Sequence, residues 1–249
     1  MTDPAETLQP LLYDADIASA AALIADSTRA AILRALLPDR PLAAGELARL
    51  AGVSAATASF HLAKLLDGGM ITVIRQGRHR YYRLAGHEVA AALEALGLIS
   101  PGLPVRSLRQ SREAAALDEA RTCYDHLAGK AGVELLDGML RRGLLEEKSG
   151  RTGRGDTSSL RFEVTGAGTK ELGSFGLNLL QLRRSRRHFA GTCIDWTQRR
   201  RHLNGALAAA ITSRLFELGW IERGQRRRSV RVTPAGIEGL ASTFGVDLP

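Results

Sequence analysis

Apolar positions recur at helical spacing on both sides of a short turn near the first fifth of the chain. The turn reads Ala51-Gly52-Val53-Ser54. Gly52 is expected to end one helix and Ser54 to cap the next. The second helix has an apolar stripe that can pack inward, formed by Ala58, Leu62, Leu65 and Leu66. The pattern predicts two consecutive helices joined by a tight turn.

The opposite face of the second helix combines apolar, hydroxyl and cationic side chains. Phe60 can contact thymine methyls, the Thr57 hydroxyl a base edge, and the Lys64 ammonium a phosphate. Ser59 and His61 flank this face, where phosphate contacts are expected rather than base contacts. The predicted DNA contacts of this helix are Ser54, Ala56, Thr57, Ser59, Phe60, His61 and Lys64.

Two β-rich runs follow the second helix. Met70 to Gln76 and His79 to Leu84 flank the turn Gly77-Arg78, which predicts a β-hairpin. Basic side chains cluster near its tip, namely Arg75, Arg78, His79 and Arg80. A solvated basic turn would explain the charge by itself. The order helix, turn, capped helix and basic hairpin instead favours double-stranded DNA as the partner.

Short motifs within about residues 14 to 97 point to a family. They include Asp26-Ser27-Thr28-Arg29, Glu46-Leu47-Ala48, Ser59-Phe60-His61-Leu62 and the Gly77-Arg78 turn. With these motifs the chain resembles the ArsR/SmtB winged helix-turn-helix transcriptional regulators. The resemblance implies a homodimer, joined through the first helix and the helix after the hairpin, that reads an inverted-repeat operator. It also implies a repressor that a signal releases.

The metal sites of that family are not matched. Metal-sensing relatives carry thiolates on the helix that here spans residues 45–50, or carboxylate and histidine ligands on the helix after the hairpin. This chain has no cysteine in the first position and only His87 near the second. Because one histidine cannot build a tetrahedral site, metal sensing at these positions is not expected.

Charge and cysteine content agree with a cytoplasmic DNA-binding protein. The 249 residues carry a formal charge of +8, which favours polyanions, although RNA or a membrane surface would also suit the charge alone. The sequence has no run of apolar residues long enough to span a membrane, and its first ten residues lack a signal-peptide pattern. Two cysteines in a chain of this length favour reduced thiols.

The predicted fold class is mainly α with small β-hairpins (α+β), in two domains. Residues 10–98 are predicted to form a winged-helix DNA-binding and dimerisation domain, 99–112 a linker, and 113–249 a sensing domain. The loop from Lys148 to Ser159 is polar and rich in Gly and Ser, and it is predicted to be disordered.

An internal repeat occupies about residues 121–180 and 191–247. The first copy contains HLAG at 126–129 and VTGAG at 164–168, and the second contains HLNG at 202–205 and VTPAG at 232–236. Self-similarity at matched spacing does not arise from composition alone. The order of helix, strand, turn, strand and helix predicts tandem winged-helix-like repeats.

A matching tripeptide begins each copy, Cys123-Tyr124-Asp125 and Cys193-Ile194-Asp195. A pseudo-twofold arrangement could bring the two together, where an organic ligand or a thiol-reactive signal could act. Aromatic walls from Tyr124 and Trp196 would favour an organic ligand over an ion. The candidate effector site comprises Cys123, Tyr124, Asp125, His126, Cys193, Asp195, Trp196 and His202. No cofactor is predicted, because the spacing matches no compact metal motif, and a metal near the cysteines stays an alternative.

Other interpretations of these residues stay open. Each Cys could be a small buried residue, each Asp a helix cap and each His a packing residue. Cys123 and His126, three apart on an expected helix, could form a nucleophile pair. Because no phosphate loop, nucleophile elbow or carboxylate cleft accompanies them, no enzyme is predicted.

The DNA-binding function also has an alternative, since a DNA-coating protein without an effector would use the same fold and charge. Three basic runs, at residues 183–188, 199–201 and 226–228, are either further DNA contacts or solvated surface.

Overall fold

The computed structural model describes residues 15–102, 104–148, 160–225 and 228–248. The predicted disordered loop, except for Lys148, and two arginines of the last basic run, Arg226 and Arg227, lie outside the described residues. The fold is mainly α with small antiparallel hairpins, as predicted. Among the described residues, no helix has both the length and the apolar character that crossing a membrane requires.

Contacts within the chain divide it into two units. The N-terminal unit ends at Ala85 and omits Leu37–Arg40, which belong to the C-terminal unit together with residues from Gly86 onwards. The helix after the hairpin, assigned by the sequence to domain 10–98, therefore packs with the C-terminal unit. A further helix begins at Leu108, inside the segment that the sequence assigns to a linker.

The N-terminal unit consists of helices and one small sheet. Its helices are α1 (Ile17–Ala25), α2 (Ser27–Leu36), α3 (Ala44–Ala51) and α4 (Ala55–Asp67), and its strands are β1 (Leu42–Ala43), β2 (Ile71–Gln76) and β3 (His79–Leu84). The strands form an antiparallel sheet in the order β1-β3-β2. The β2–β3 hairpin, called the wing below, begins one residue later than predicted.

Local sequence signals explain the turn between α3 and α4. Gly52 adopts a φ of +69°, in the left-handed region that favours glycine, and its N–H donates to carbonyls at the end of α3. The hydroxyl oxygen of Ser54 accepts a hydrogen bond of 3.1 Å from the backbone N–H of Thr57. Both predicted caps are confirmed. The predicted stripe of α4 faces inward, because Ala58, Leu62 and Leu65 are almost fully buried.

The C-terminal unit begins with two helices and continues with short hairpins and helices. The first two helices are α5 (His87–Ile99) and α6 (Leu108–Glu119). The next elements are β4 (Arg121–Cys123), β5 (His126–Ala128), α7 (Gly129–Arg141), β6 (Leu145–Glu147), β7 (Phe162–Val164), α8 (Gly166–Ser174) and α9 (Leu179–Arg183). The last are β8 (Gly191–Ile194), β9 (Arg201–Asn204), α10 (Ala206–Glu217), β10 (Ile221–Arg223), β11 (Val230–Val232) and α11 (Pro234–Phe244).

After α6, the order hairpin, helix, hairpin, helix occurs twice, and the two halves exchange contacts. The N–H of Thr122 in β4 donates at 2.8 Å to the carbonyl of Arg228, which lies shortly before β11 in the second half. In return, the N–H of Phe162 in β7 donates to the carbonyl of Ala190 at 3.1 Å, next to β8. Strand β5 packs against α10 and β9 against α7, and β5 lies beside β9. The first hairpins of the two halves therefore meet at the centre of the unit.

The repeated Thr-x-Ala-Gly motif has the same role in both halves. The hydroxyls of Thr165 and Thr233 cap α8 and α11 by accepting from the N–H of Gly168 and Gly236. A Cβ atom on either glycine would lie about 2 Å from a backbone carbonyl oxygen. The motif therefore combines a helix cap with a position where only glycine fits.

Candidate DNA-binding surface and thiol-imidazole cluster

The exposed face of α4 carries the predicted groove contacts. We call this the recognition face, formed by Ala56, Thr57, Phe60 and Lys64, all of which are exposed. Phe60 has 56% of its surface exposed, and the Nζ atom of Lys64 lies 4.6 Å from the centre of its ring. A large apolar side chain that stays more than half exposed suits contact with a groove.

Two hydroxyls beside the recognition face also bond within the helix. The Ser59 hydroxyl donates to the carbonyl of Ala55 at 2.8 Å, and those of Ser54 and Thr57 lie 2.8 Å apart. These side chains are exposed. Hydroxyl oxygens that donate internally keep lone pairs for an outside donor.

His61 does not belong to this surface, contrary to the prediction. Its side chain is 9% exposed, and its Nδ1 atom lies 3.5 Å from Oδ1 of Asp26, which precedes α2. Successive residues of an α-helix are rotated by about 100°. His61 therefore lies on a different side of α4 from the exposed Phe60 and faces inward. His61 therefore packs between helices.

The wing places its basic side chains in solvent. Arg75, Arg78, His79 and Arg80 are all exposed, and Gly77 forms the turn with a φ of +57°. Arg75 and Arg80 are direct cross-strand partners. Like charges in directly opposed positions destabilise a hairpin, and an anion bound between them would remove that penalty.

Both cysteines face a histidine across a hairpin. Cys123 pairs with His126 between β4 and β5, and Cys193 pairs with His202 between β8 and β9. One possible ligand atom from each of the four lies within 4.8 Å of all the others. These residues form the thiol-imidazole cluster. Cys123 and His126 lie on strands, so the expectation that they share a helix is wrong.

Both histidines are buried with unpartnered nitrogen atoms. His126 is fully buried and His202 is 1% exposed, and their rings stack with centres 5.2 Å apart. Nδ1 of His126 lies 3.2 Å from Oδ1 of Asp125, while its Nε2 has no hydrogen-bond partner among the described residues. Neither nitrogen of His202 has one in that part of the chain, although Nδ1 lies 4.0 Å from Oδ2 of Asp195.

Asp195 organises the second hairpin and links it to the first half. Its Oδ1 atom accepts from the N–H groups of Thr197 and Gln198 within the turn. Its Oδ2 atom accepts from Arg121 at 2.8 Å and from the N–H of Gly129 at 2.7 Å. Asp195 therefore caps no helix in its own segment but accepts a hydrogen bond from the start of α7, which is distant in sequence. Arg121 is a site residue that the sequence did not indicate.

Electrostatic interactions within the cluster favour an ionised thiol. Hydrogen bonding to Cys123 lowers the pKa of Cys193, while the same bond and burial raise the pKa of Cys123. Burial opposes charge on His126, yet Asp125 and Cys193 raise its pKa to about 9. Burial lowers the pKa of His202 to about 3. Asn204, also missed in the sequence, donates to Sγ of Cys193 at 2.9 Å.

The two predicted aromatic residues pack against other side chains of the C-terminal unit. The ring of Trp196 packs on the guanidinium of Arg121, 4.6 Å from its centre, and lies against Gly97 of α5. Tyr124 occupies the β4–β5 turn with a φ of +60°, and its ring is 6.2 Å from that of His87. Aromatic walls beside the thiols stay a prediction.

A separate cleft of about 900 Å³ lies in the C-terminal unit, beside α6 and the β10–β11 hairpin. Arg109, Arg112, Glu113 and Arg231 contribute to its lining, and none of the candidate effector residues does. The cleft and the thiol-imidazole cluster are different places in the molecule.

Four of the described arginines in the basic runs form ion pairs within the C-terminal unit. Arg183 contacts Glu163 at 3.0 Å and Arg187 contacts Asp125. Arg200 bonds to Asp137 and Arg228 to Glu94. These four side chains stabilise the unit rather than forming an unpaired cationic surface.

Part of the chain is similar to known proteins. A family model described as a helix-turn-helix domain matches residues 24–74. Among solved structures, reduced HlyU from Vibrio cholerae is 28% identical, with a TM-score of 0.31. The match covers 34% of this chain and 90% of the HlyU chain. The cadmium metal-sensor CMTR from Mycobacterium tuberculosis is 32% identical, covers 37% and 99%, and has a TM-score of 0.30.

One relative extends over nearly the whole chain. It is the uncharacterized HTH-type transcriptional regulator YdfF of Bacillus subtilis, 42% identical over 221 residues, which are 89% of this chain and 93% of the relative. A match of 221 residues must extend well beyond the helix-turn-helix into the C-terminal unit. The chain therefore belongs to the HTH-type transcriptional regulators.

Proposed function

We propose that this regulator is a cytoplasmic homodimeric repressor of the ArsR type that binds an inverted-repeat operator and is released by a signal in its C-terminal unit. The exposed recognition face beside the basic wing is the observation that carries the proposal. The recognition helix α4 enters the major groove, and the wing contacts the backbone or minor groove. No catalytic step is part of this function.

Each recognition side chain has a separate task. Thr57 and Phe60 read base edges and thymine methyls, whereas Lys64 and the wing residues Arg75, Arg78 and Arg80 neutralise phosphates. Ser54, Ser59 and His79 add positioning contacts to the backbone. Base contacts distinguish the operator from other DNA, and phosphate contacts strengthen binding to any duplex.

The first helix supports a dimer. Helix α1 has the sequence IASAAALIA, and none of its residues is buried within the chain. Ile17 has 73% of its surface exposed. An apolar helix that its own chain covers only in part suits an interface with a second copy. Two copies then present two recognition helices to successive half-sites about one DNA turn apart.

Contacts within the C-terminal unit supply a route for the signal. Glu94 of α5 pairs with Arg228, and Nε of Arg228 donates to the carbonyl of Thr122, next to Cys123, at 3.0 Å. Helix α5 follows directly after the wing strand β3 in the chain. A change at the thiol-imidazole cluster would move α5 and so alter the spacing of the two recognition helices.

The C-terminal halves are, in this proposal, two winged-helix-like copies related by a pseudo-twofold axis. The repeated element order, the shared Thr caps and the reciprocal strand contacts support the duplication. The axis passes between the two first hairpins, where both cysteines lie.

The test compares the duplex upstream of the regulator's own gene with a shuffled duplex, using fluorescence anisotropy and footprinting. Thr57→Ala and Phe60→Ala are expected to lose preference for the first duplex, and Arg78→Ala to weaken binding to both. Arg109→Ala, at an exposed arginine of α6, is the matched control. Binding of all three variants like the parent would overturn this assignment of the surface.

A further inference from the structure

Two hairpins from different halves of the C-terminal unit place two thiols and two imidazoles around one point. Two residues separate Cys123 from His126, whereas eight separate Cys193 from His202, so the spacing matches no compact motif. The two pairs nevertheless have the same arrangement in their hairpins, because each cysteine is the direct cross-strand partner of its histidine. The possible ligand atoms all lie within 4.8 Å of one another.

We propose that Cys123, His126, Cys193 and His202 form a closed tetrahedral site for a divalent cation of the Zn²⁺ class. Two sulfur and two imidazole ligands match the borderline-soft character of this ion and its preference for four-coordinate geometry. All four ligands come from the protein, as in structural rather than catalytic zinc sites.

The buried histidines support the proposal independently of the ligand spacing. Nε2 of His126 and both nitrogens of His202 are buried without a hydrogen-bond partner among the described residues. Such an atom costs free energy, because it has lost water and gained no replacement. A metal ion bound at Nε2 of each ring would supply the missing partner.

One neighbouring carboxylate, that of Asp125, lies where metal sites place such a group. A histidine that binds a metal through one nitrogen commonly donates its other N–H to a carboxylate, which fixes the orientation of the ring. Asp125 lies 3.2 Å from Nδ1 of His126, and Asp195 lies 4.0 Å from Nδ1 of His202. The first Cys-x-Asp motif thus supplies one ligand and one carboxylate within hydrogen-bond range of its histidine, whereas the carboxylate of the second motif lies near His202 without bonding to it.

A metal ion bound at this site would link the two halves of the C-terminal unit. Each hairpin contributes one thiolate and one imidazole, so bound metal joins β4–β5 to β8–β9 through four bonds. Because ions that bind only the folded state raise stability by mass action, Zn²⁺ would stabilise the C-terminal unit. This inference concerns metal binding alone and does not depend on the proposed repressor function.

The experiment uses the full-length protein, reduced, stripped with a chelator and titrated with Co²⁺ in the absence of DNA. One cobalt ion per chain is expected, with the intense visible bands of a tetrahedral site and thiolate-to-cobalt charge transfer in the near ultraviolet. Zn²⁺ is expected to displace the cobalt, remove these bands and raise the melting temperature.

Variants identify the ligands. Cys193→Ser and His202→Asn are expected to lose the tetrahedral spectrum and the Zn²⁺-dependent rise in melting temperature, while circular dichroism shows whether they fold. His126→Gln provides a second histidine variant if His202→Asn fails to fold. His87→Asn is the matched control, because His87 is a neighbouring histidine outside the four ligands, and it is expected to keep both signals.

Three results would overturn the proposal. The first is the absence of stoichiometric Co²⁺ binding to the reduced parent protein. The second is an octahedral spectrum without thiolate charge transfer. The third is unchanged tetrahedral binding in folded Cys193→Ser protein. DNA binding is measured separately, so failure of the metal site and failure of the repressor function are distinguishable.

Discussion

Asp195 accepts a hydrogen bond of 2.8 Å from Nη2 of Arg121, and both side chains are fully buried. The two residues lie 74 positions apart and belong to the two different halves of the C-terminal unit. The same carboxylate receives the first N–H of α7. The ion pair therefore holds the halves together next to the thiol-imidazole cluster.

Replacing Asp195 with Ala is expected to destabilise the protein strongly. Arg121 would keep its charge in a buried position without an opposite charge beside it, although Leu117, Thr197 and Trp196 still contact it, and such a loss costs about 3–5 kcal/mol. Denaturation by urea, followed by circular dichroism, measures the change in free energy of unfolding.

The control for this experiment is the surface pair of Arg109 and Glu113 on α6, whose side chains are 80% and 26% exposed. Glu113→Ala is expected to cost less than about 1 kcal/mol, because solvent already screens the charges. If Asp195→Ala and Glu113→Ala lowered stability equally, the buried pair would not be the link described.

Gly168 and Gly166 of α8 are expected to respond to alanine with opposite signs. A Cβ atom on Gly168 would lie 2.0 Å from the carbonyl oxygen of Leu144, whereas nothing lies within 4 Å of one on Gly166. Gly168→Ala is expected to destabilise by roughly 1–3 kcal/mol through overpacking. Gly166→Ala is expected to stabilise by about 0.4–1 kcal/mol. Thermal melts of both variants check the pair, and equal stability would contradict the close approach.

The wing is expected to contribute mainly to the salt-dependent part of DNA binding. Each phosphate contact adds about −0.9 to the slope of log affinity against log salt concentration. Arg78→Ala is expected to make that slope less steep by about 1. Arg109→Ala, also an exposed arginine, serves as control. An unchanged slope for Arg78→Ala would place the wing away from phosphates.

Asp125→Asn is expected to weaken Zn²⁺ binding by about 10–100-fold without removing any metal ligand. The reason is that the Asp125 carboxylate orients the His126 ring through its other nitrogen, Nδ1. Competition with a chromophoric chelator measures the affinity. The control is Asp118→Asn, since Asp118 bonds to Gln198 and to none of the four ligands. Equal affinities of the two variants would show that Asp125 does not support the ligand.

Most of the N-terminal unit could be predicted from its sequence, because its signals are local. The signals from Gly52, Ser54 and the two β-rich runs around Gly77 each act within a few residues. The structure has the turn, the helix cap and the wing at the predicted positions. His61 is the exception. Its burial depends on Asp26, 35 positions earlier and in front of another helix, which the pattern of α4 alone cannot indicate.

The cluster in the C-terminal unit could be predicted only in part. The repeated Cys-x-Asp indicates that the cysteines correspond, and the structure brings them together with both histidines. The assignment of Cys123 and His126 to a helix is wrong because β4 and β5 have only three residues each, too few for periodicity to distinguish strand from helix. Arg121 carries no local signal, since its partner Asp195 comes from the other half.

Binding of the full-length protein to the duplex upstream of its own gene, compared with a shuffled duplex of equal length at physiological salt, tests the central claim most directly. A regulator that reads DNA through Thr57 and Phe60 is expected to prefer the first duplex by about 10³-fold or more. Equal affinity for the two duplexes, with a steep dependence on salt, would contradict sequence-specific recognition and indicate a protein that coats DNA.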